Sequence, residues 1–470
     1  MKAVAALASR IVVAVGATML IPAIVAALYG EWRVAGALAA SAMASALAGL
    51  PGLKLPMPRE VKPPEALVTS GVGWLLAALV GSAPYVLSGY MDPLDAYFES
   101  MAGFTTTGMT LIREIEPWPR GLLFWRALTQ WLGGVGVVLF LLLIVAPGGV
   151  GVWRLYVAEA REERLAVRAW DTVKNIWAIY LGYTAACAAL LAASGMDIYD
   201  AVCHSFTVLS TGGFSTRTAS IAAFANPAIE AVLVVFMVVG GMNFLVHSLL
   251  VRRQFKRALR NTELQAMLAI LACATSIISL DLASHGHSLS DSLRLAAFQA
   301  SSIMTTTGYT TIDINLLPSL SKAVLLLLMV VGGSLCSTAG AVKVARLVVV
   351  GKLAHREVLR ALLPPSAVKP IKVGGRVLEL NDALRVAGFF FAYMLTAAVA
   401  TLIVAAEGHG LAASLSAALS AQGNVGPAYI SLFELGPVGK ATLIACMWAG
   451  RLELMPVLAL LTLKTWRELA

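Results

Sequence analysis

Four short polar segments interrupt a chain otherwise made of long apolar runs, and all four stand in the same local setting. They are Thr105, Thr106, Thr107, Gly108 and Met109; Ser210, Thr211, Gly212, Gly213 and Phe214; Thr305, Thr306, Thr307, Gly308 and Tyr309; and Gly423, Asn424, Val425, Gly426 and Pro427. Each follows a stretch of roughly a dozen to seventeen residues and precedes a longer apolar run. At 1.5 Å per residue the shorter stretch cannot cross a ~30 Å hydrocarbon core as a helix. It must be re-entrant, and the polar backbone after it must line a cavity or be buried in protein.

Composition agrees with a membrane location. Of 470 residues, 59% are hydrophobic and 13% charged, about half the charged share of a soluble domain. Long apolar runs without ten-residue alternation exclude a barrel and leave helices. Cys187, Cys203, Cys273, Cys336 and Cys446 are scattered through apolar segments; they suggest no disulfide framework or zinc site and read as small buried hydrophobes. The six histidines have no metal-ligand spacing, so metalloenzyme chemistry has no foothold. The net charge of +9 does not indicate nucleic acid, because the basic residues lie in loops between apolar spans, where they report topology.

In order, residues 11–29 and 34–50 predict an N-terminal hairpin of two transmembrane helices. Four units follow, each a helix, a half-length helix, a polar segment and a second helix. The expected helices are 67–87, 92–104 and 121–145; 176–193, 197–209 and 228–250; 264–282, 288–304 and 323–350; and 383–406, 411–421 and 438–463. The chain thus divides into 1–66, the hairpin with its loop, and pore units at 67–169, 170–261, 262–380 and 381–470. Glycines recur in the second helices at Gly134, Gly241, Gly333 and Gly450, 24 to 28 positions beyond each segment's last glycine. Asp95 and Asp200 both lie thirteen positions before theirs. These spacings mark a fourfold internal duplication. The fold class is an all-α polytopic membrane protein, four pseudo-symmetric units around a central pore plus the hairpin.

Basic residues cluster in the loops between units: Arg154, Arg161, Arg164 and Arg168; Arg252, Arg253, Lys256, Arg257 and Arg260; and Lys352, Arg356, Arg360, Lys369, Lys372 and Arg376. Arg59 belongs to the loop after the hairpin. Loops on the other side are poorer in Lys and Arg, which places both termini in the cytoplasm and the four segments on the outer side.

Four Thr/Gly loops around an axis suit a dehydrated alkali cation, as the four carbonyl-lined loops of potassium channels do. Glycine adopts positive φ without penalty, so successive carbonyls can aim at one axis, and threonine adds a hydroxyl. A second motif runs Gly332, Gly333, Ser334, Leu335, Cys336, Ser337, Thr338, Ala339, Gly340. Its interior glycines each cost a helix about 1 kcal/mol relative to alanine, and Ser and Thr compete for backbone bonds, so the helix should unwind there. It reads either as a tight packing seam or as a flexible gate beneath the segments. Arg451 is a third feature, a charge inside the last apolar run. Such a charge lines a cavity or has a partner. It reads as a pore-lining barrier that can hold the gate through its carbonyls, or as a structural ion pair with another helix. Glu453, two residues on, is off its helix face. The acidic residues Asp92, Asp95, Glu99, Asp197 and Asp200 read as an attraction for cations at the outer mouth, with helix capping an equal explanation for Asp92 and Asp197.

This arrangement resembles the Trk/Ktr/HKT superfamily of potassium and sodium transporters, and the hairpin makes it most similar to the Trk branch. The resemblance covers nearly the whole chain. It implies K⁺ uptake across the inner (cytoplasmic) membrane, with filter glycines Gly108, Gly213, Gly308 and Gly426. In plant relatives a serine at the first of these accompanies sodium preference, so Gly108 implies potassium. The resemblance also implies an intramembrane gating loop with Lys343 and Arg346 at its basic exit, a pore arginine at Arg451, a homodimer in lipid, and a separate cytosolic nucleotide-binding regulator of the RCK type. No cofactor, nucleic-acid partner or catalytic chemistry is expected; the only metal is the transported K⁺. A Na⁺-permeable or K⁺/Na⁺ (or K⁺/H⁺) symporter of the same superfamily is the alternative within transport. A polytopic membrane enzyme is the alternative outside it, and it lacks a catalytic His, Asp or Cys cluster.

Overall fold

The computed structural model describes residues 2–56, 62–145, 169–364, 369–374, 376–462 and 465–467. Arg59, Arg154, Arg161, Arg164 and Arg168 lie outside the described residues. The hairpin comprises Lys2–Thr18, continuing as Leu20–Leu28, and the returning Trp32–Leu53. Small residues let its arms approach: a side chain at Gly49 or Gly52 would overlap Val13 or Ser9, the seam expected where lipid supplies no hydrophobic drive. At the turn, Glu31 accepts hydrogen bonds from the amides of Arg120 (2.7 Å) and Gly121 (2.9 Å). It thereby satisfies donors left open at the start of the helix Arg120–Val145.

Each repeat opens with a helix long enough to span a bilayer: Pro63–Leu87, Ala169–Ala193, Thr262–Ser284 and Leu380–Ala405. With the hairpin arms, six described helices are long and apolar enough to cross, or seven if the bent pair in the second repeat is one span. Half-length helices follow at Pro93–Phe104, Ile198–Leu209, Leu289–Met304 and Leu411–Gly423. At 12 to 16 residues they reach only ~18–24 Å. Asp197 and Ser288 cap two of them by accepting from Tyr199 N and Asp291 N, whereas Asp92 makes no side-chain cap bond.

The helices after the segments differ most from expectation. In the second repeat the uninterrupted helix expected over 228–250 is instead Pro227–Gly241 and Phe244–Val251, bent by 111°. Gly240 and Gly241 press against Thr211 and Thr305, and Asn243 restarts the helix by accepting from Leu245 N at 2.9 Å. The third repeat breaks as its Gly/Ser/Thr run predicts, with Ser319–Val331 and Val344–Leu362 flanking it. In the fourth, the run expected over 438–463 stops at Arg451, turns through Glu453 and Leu454 at φ 59° and 57°, and resumes as Met455–Leu460. A two-stranded antiparallel hairpin, Ile371–Val373 with Arg376–Leu378, is a small exception to an otherwise helical fold.

Apolar clusters fill the junctions between repeats: one joins Met242, Ile303, Met304, Leu325, Leu419 and Val425 from the second, third and fourth. Four cysteines are buried and unpaired; Cys273 departs from the expected burial and is exposed on Thr262–Ser284.

Candidate cation-conducting site

The four polar segments meet in a closed cycle. Gly108 lies so close to the Gly212 carbonyl oxygen that any side chain there would overlap it. Gly213 is set in the same way against Thr307 O, Gly308 against Val425 O, and Gly426 against Thr107 O. First touches second, second third, third fourth, and fourth first.

The backbone follows one plan in all four. Two residues before each glycine, the chain takes the left-handed conformation, at Thr106 (φ 53°), Thr211 (51°), Thr306 (58°) and Asn424 (54°). For β-branched threonine this is strained by about 1–3 kcal/mol, while asparagine tolerates it. Next, paired amides turn back onto the half-helix. Thr107 N and Gly108 N donate to Ala102 O, Gly212 N and Gly213 N to Thr207 O, and Thr307 N and Gly308 N to Ser302 O. In the fourth segment Val425 N donates to Ser420 O and Gly426 N to Ser420 Oγ. Drawing the N–H groups backward frees the carbonyls: those of Thr106, Thr107, Thr306, Thr307 and Val425 accept no hydrogen bond among the described residues. The half-helices all end here, and helix C-termini favour positive charge.

The third-repeat break, from Gly332 to Lys343, lies buried against this cycle. Gly340 N donates to Thr306 Oγ1 at 2.9 Å. The Thr338 hydroxyl is shared between the carbonyls of Leu209 and Gly240, both at 3.0 Å, and Thr211 Oγ1 donates to it at 3.3 Å. Ser334 N donates to Gly241 O at 2.8 Å, Phe244 N to Cys336 O at 3.2 Å, and Leu335 N to Glu263 Oε1 at 2.6 Å. Ser337 Oγ closes the loop on itself through Ser334 O. Gly332, at φ 75°, and Gly333 begin the turn; a side chain on Gly333 would strike Ala339 and Gly241. Arg451, 3% exposed, donates from Nη1 to Thr338 O at 2.7 Å and from Nη2 to Gly133 O at 2.8 Å. Among the described residues it forms no ion pair; Glu453 instead pairs with Arg346 and, at 3.7 Å, with Lys343.

Comparison with known proteins places this geometry in a family. The family model described as TrkH, cation transport protein, matches residues 72–465. The chain belongs to the TrkH family of cation transport proteins. It is 34% identical over 99% of both chains to the Trk system potassium uptake protein TrkH of Escherichia coli K12. It is also 34% identical to an uncharacterized cation transporter of Methanocaldococcus jannaschii, over 95% of this chain and 92% of that one. The crystal structure of the potassium transporter TrkH from Vibrio parahaemolyticus superposes with a TM-score of 0.91 at 30% identity, over 99% of each chain. The protein is thus a multi-pass membrane transporter of cations and not an enzyme.

In this member of the TrkH family the residues after the glycines turn outward into protein. Met109, Phe214 and Tyr309 are buried, the Tyr309 hydroxyl bonding Thr207 Oγ1 and His204 O, and Pro427 packs on Gly308. The acidic residues read as a cation mouth are largely paired instead. Glu99 is fully buried against Arg126 (2.8 Å), Asp200 against Thr216 and Arg217, and Asp95 holds Lys440 at 2.6 Å. Burial of Glu99 and Asp200 requires those partners.

Two contributors, Arg126 and Gln130, escape sequence reasoning, as do the partners of Asn424, which is itself part of the fourth segment. Arg126 is buried, donates to Ser215 O and Thr110 Oγ1, and lies 4.0 Å over the Phe214 ring. The rule that singles out Arg451, a charge inside an apolar helix, applies equally to it. Gln130, one turn on, is fully buried and bonds the second segment. Asn424 donates to Thr107 Oγ1 and Met447 O, a pairing over long sequence separations that carries no local signal.

Proposed function

We propose that the protein takes up potassium across the cytoplasmic membrane through a four-segment carbonyl filter, gated by the loop 332–340 and Arg451. The closed cycle of four segments, with carbonyls freed at Thr106, Thr107, Thr306, Thr307 and Val425, carries this reading, because such a ring replaces a cation's hydration shell. The filter consists of Thr105 to Met109, Ser210 to Phe214, Thr305 to Tyr309 and Gly423 to Pro427. Potassium as the ion rests on the names of the relatives from Escherichia coli and Vibrio parahaemolyticus. The loop blocks the path beneath the ring; Arg451 holds it through Thr338 O and adds a charge that repels cations.

The pore units at 67–169, 170–261, 262–380 and 381–470 surround this path, with the hairpin region 1–66 outside the first. Both termini face the cytoplasm, as the basic loops indicate. The working assembly is a homodimer in lipid with a cytosolic nucleotide-binding RCK-type regulator on those loops, in keeping with relatives named as parts of a Trk system.

Gly308→Ser tests the filter. At φ 82° and in contact with Val425 O, a serine there is strained and displaces the neighbouring carbonyl. In proteoliposomes the K⁺ to Na⁺ flux ratio should fall severalfold; an unchanged ratio with intact protein rejects the filter assignment.

A further inference from the structure

The four segments are not equal at the position just before the glycine. Three carry a branched side chain, Thr107, Thr307 and Val425; the second carries Gly212. The space that a side chain at 212 would fill is occupied. A Cβ built there overlaps the carboxamide of Gln130, which comes from the helix Arg120–Val145 of the first repeat. Gln130 also bonds on both sides of Gly213: Nε2 donates to Gly212 O at 2.7 Å and Oε1 accepts from Phe214 N at 3.0 Å. Both polar ends are satisfied, as a fully buried amide requires. The corresponding places in the other repeats, three residues before Gly240, Gly332 and Gly450 as Gln130 is before Gly133, hold Met237, Met329 and Met447, none of which can make such a pair of bonds.

We infer that Gln130 is the stand-in for the side chain missing at Gly212, a positioning residue that fixes the second segment from the first repeat and so sets cation selectivity. The inference rests on the filter reading above. Elsewhere a buried branched side chain is the wedge: Thr107 Oγ1 meets Thr105 Oγ1 and Asn424 Nδ2, Thr307 Oγ1 meets Thr305 Oγ1, and Val425 packs in an apolar cluster. At Gly212 no wedge exists, and without restraint a glycine pair, Gly212 and Gly213, would leave the peptide free to rotate. Gly212 N and Gly213 N are anchored on Thr207 O; Gln130 fixes the remaining freedom by filling the space and tying the carbonyl and amide that flank Gly213. The same side chain lies near Gly108, where an added Cβ would stand 3.6 Å from Nε2. Arg126, one turn earlier on the same helix, extends the brace to Ser215 O at 3.2 Å.

The complementarity gives a reciprocal test, read as the K⁺ to Na⁺ flux ratio of purified full-length variants in proteoliposomes. Gln130→Ala should lower the ratio about tenfold, the scale of losing two buried amide hydrogen bonds. Gly212→Thr alone should also lower it, because the new side chain collides with Gln130. The double variant Gln130→Ala/Gly212→Thr should recover most of the ratio, since position 212 is not in the left-handed region and threonine serves there in two other segments. Gln130→Met keeps the volume and loses the bonds, so it covers the case in which the alanine variant does not fold; its ratio should fall severalfold. A parental ratio in Gln130→Ala or Gln130→Met, or a double variant no better than Gln130→Ala, overturns the inference. Gly308→Ser is run alongside: if it shifts the ratio while the Gln130 variants do not, this inference alone fails. If neither shifts it, the filter reading fails.

Discussion

Arg451 is held by carbonyls and not by a carboxylate, and that difference decides what removing it does. Its two described bonds join Thr338 in the third-repeat loop to Gly133 in the first repeat, so one guanidinium ties the loop across the molecule. Truncating it leaves no buried countercharge unpaired, because Glu453 already has Arg346 and Lys343. Arg451→Ala should therefore spare the fold while releasing the loop and removing a positive barrier. A hydrogen bond from a charged group contributes about 1.5–3 kcal/mol, so basal rubidium flux should rise about tenfold or more in proteoliposomes lacking any partner. Arg451→Lys keeps the charge but not the forked geometry and should lie between. Reduced flux from well-folded Arg451→Ala would contradict the role proposed for it as a barrier.

At the scale of the element, the third-repeat loop is seated by the break in the second repeat. Gly240 and Gly241 expose carbonyls that a continuous helix would have used internally, and Thr338 and Ser334 take them. Gly340 is the point of closest approach on the other side, where a Cβ would overlap Gly423 O and crowd Asn424. Gly340→Ala should push the loop off this seat and raise basal flux severalfold, while the K⁺ to Na⁺ ratio stays near parental. A collapsed ratio with unchanged basal flux would show that the loop braces the filter instead of blocking it. The break at Gly332 to Gly340 was legible because glycine, serine and threonine contradict a helix locally. The break at Met242 and Asn243 was not, since a single asparagine in an apolar run resembles many helix interiors. The stop after Arg451 was hidden for the same reason: Glu453 and Leu454 adopt positive φ without glycine, an arrangement imposed by tertiary contacts. The four half-helices and their segments could be read from length and spacing alone. Their partners could not, because Gln130 to Gly212 and Asn424 to Thr107 cross between repeats.

Across the whole molecule the cycle of segments needs its repeats held together, and each junction carries a polar tie behind the ring. Arg126 joins first to second through Ser215 O, and Arg294 joins third to second through Glu230 at 2.7 Å. Tyr429 joins fourth to third through Lys322 O at 2.8 Å, and Lys440 joins fourth to first through Asp95. These ties differ in burial, and burial ranks them. Arg126, which carries the first-to-second tie and also pairs with Glu99 inside the first repeat, is 1% exposed at its side chain and Glu99 0%, whereas Asp95 and Lys440 are 31% and 16%. Removing one partner of a buried pair strands a charge and costs about 3–5 kcal/mol, whereas a partly exposed pair contributes about 1 kcal/mol or less. Arg126→Met should therefore lower the thermal midpoint of detergent-solubilised protein far more than Lys440→Ala does, as followed by loss of the monodisperse peak in size-exclusion chromatography. Adding Glu99→Leu to Arg126→Met should restore part of the loss, because the stranded carboxylate is gone. The recovery should stay incomplete, since Glu99 also accepts from Thr110 Oγ1 and Leu111 N. Equal midpoints for Arg126→Met and Lys440→Ala would mean that the first and second repeats are held by apolar packing, and that the buried pair only orients the backbone behind Gly108 and Gly213.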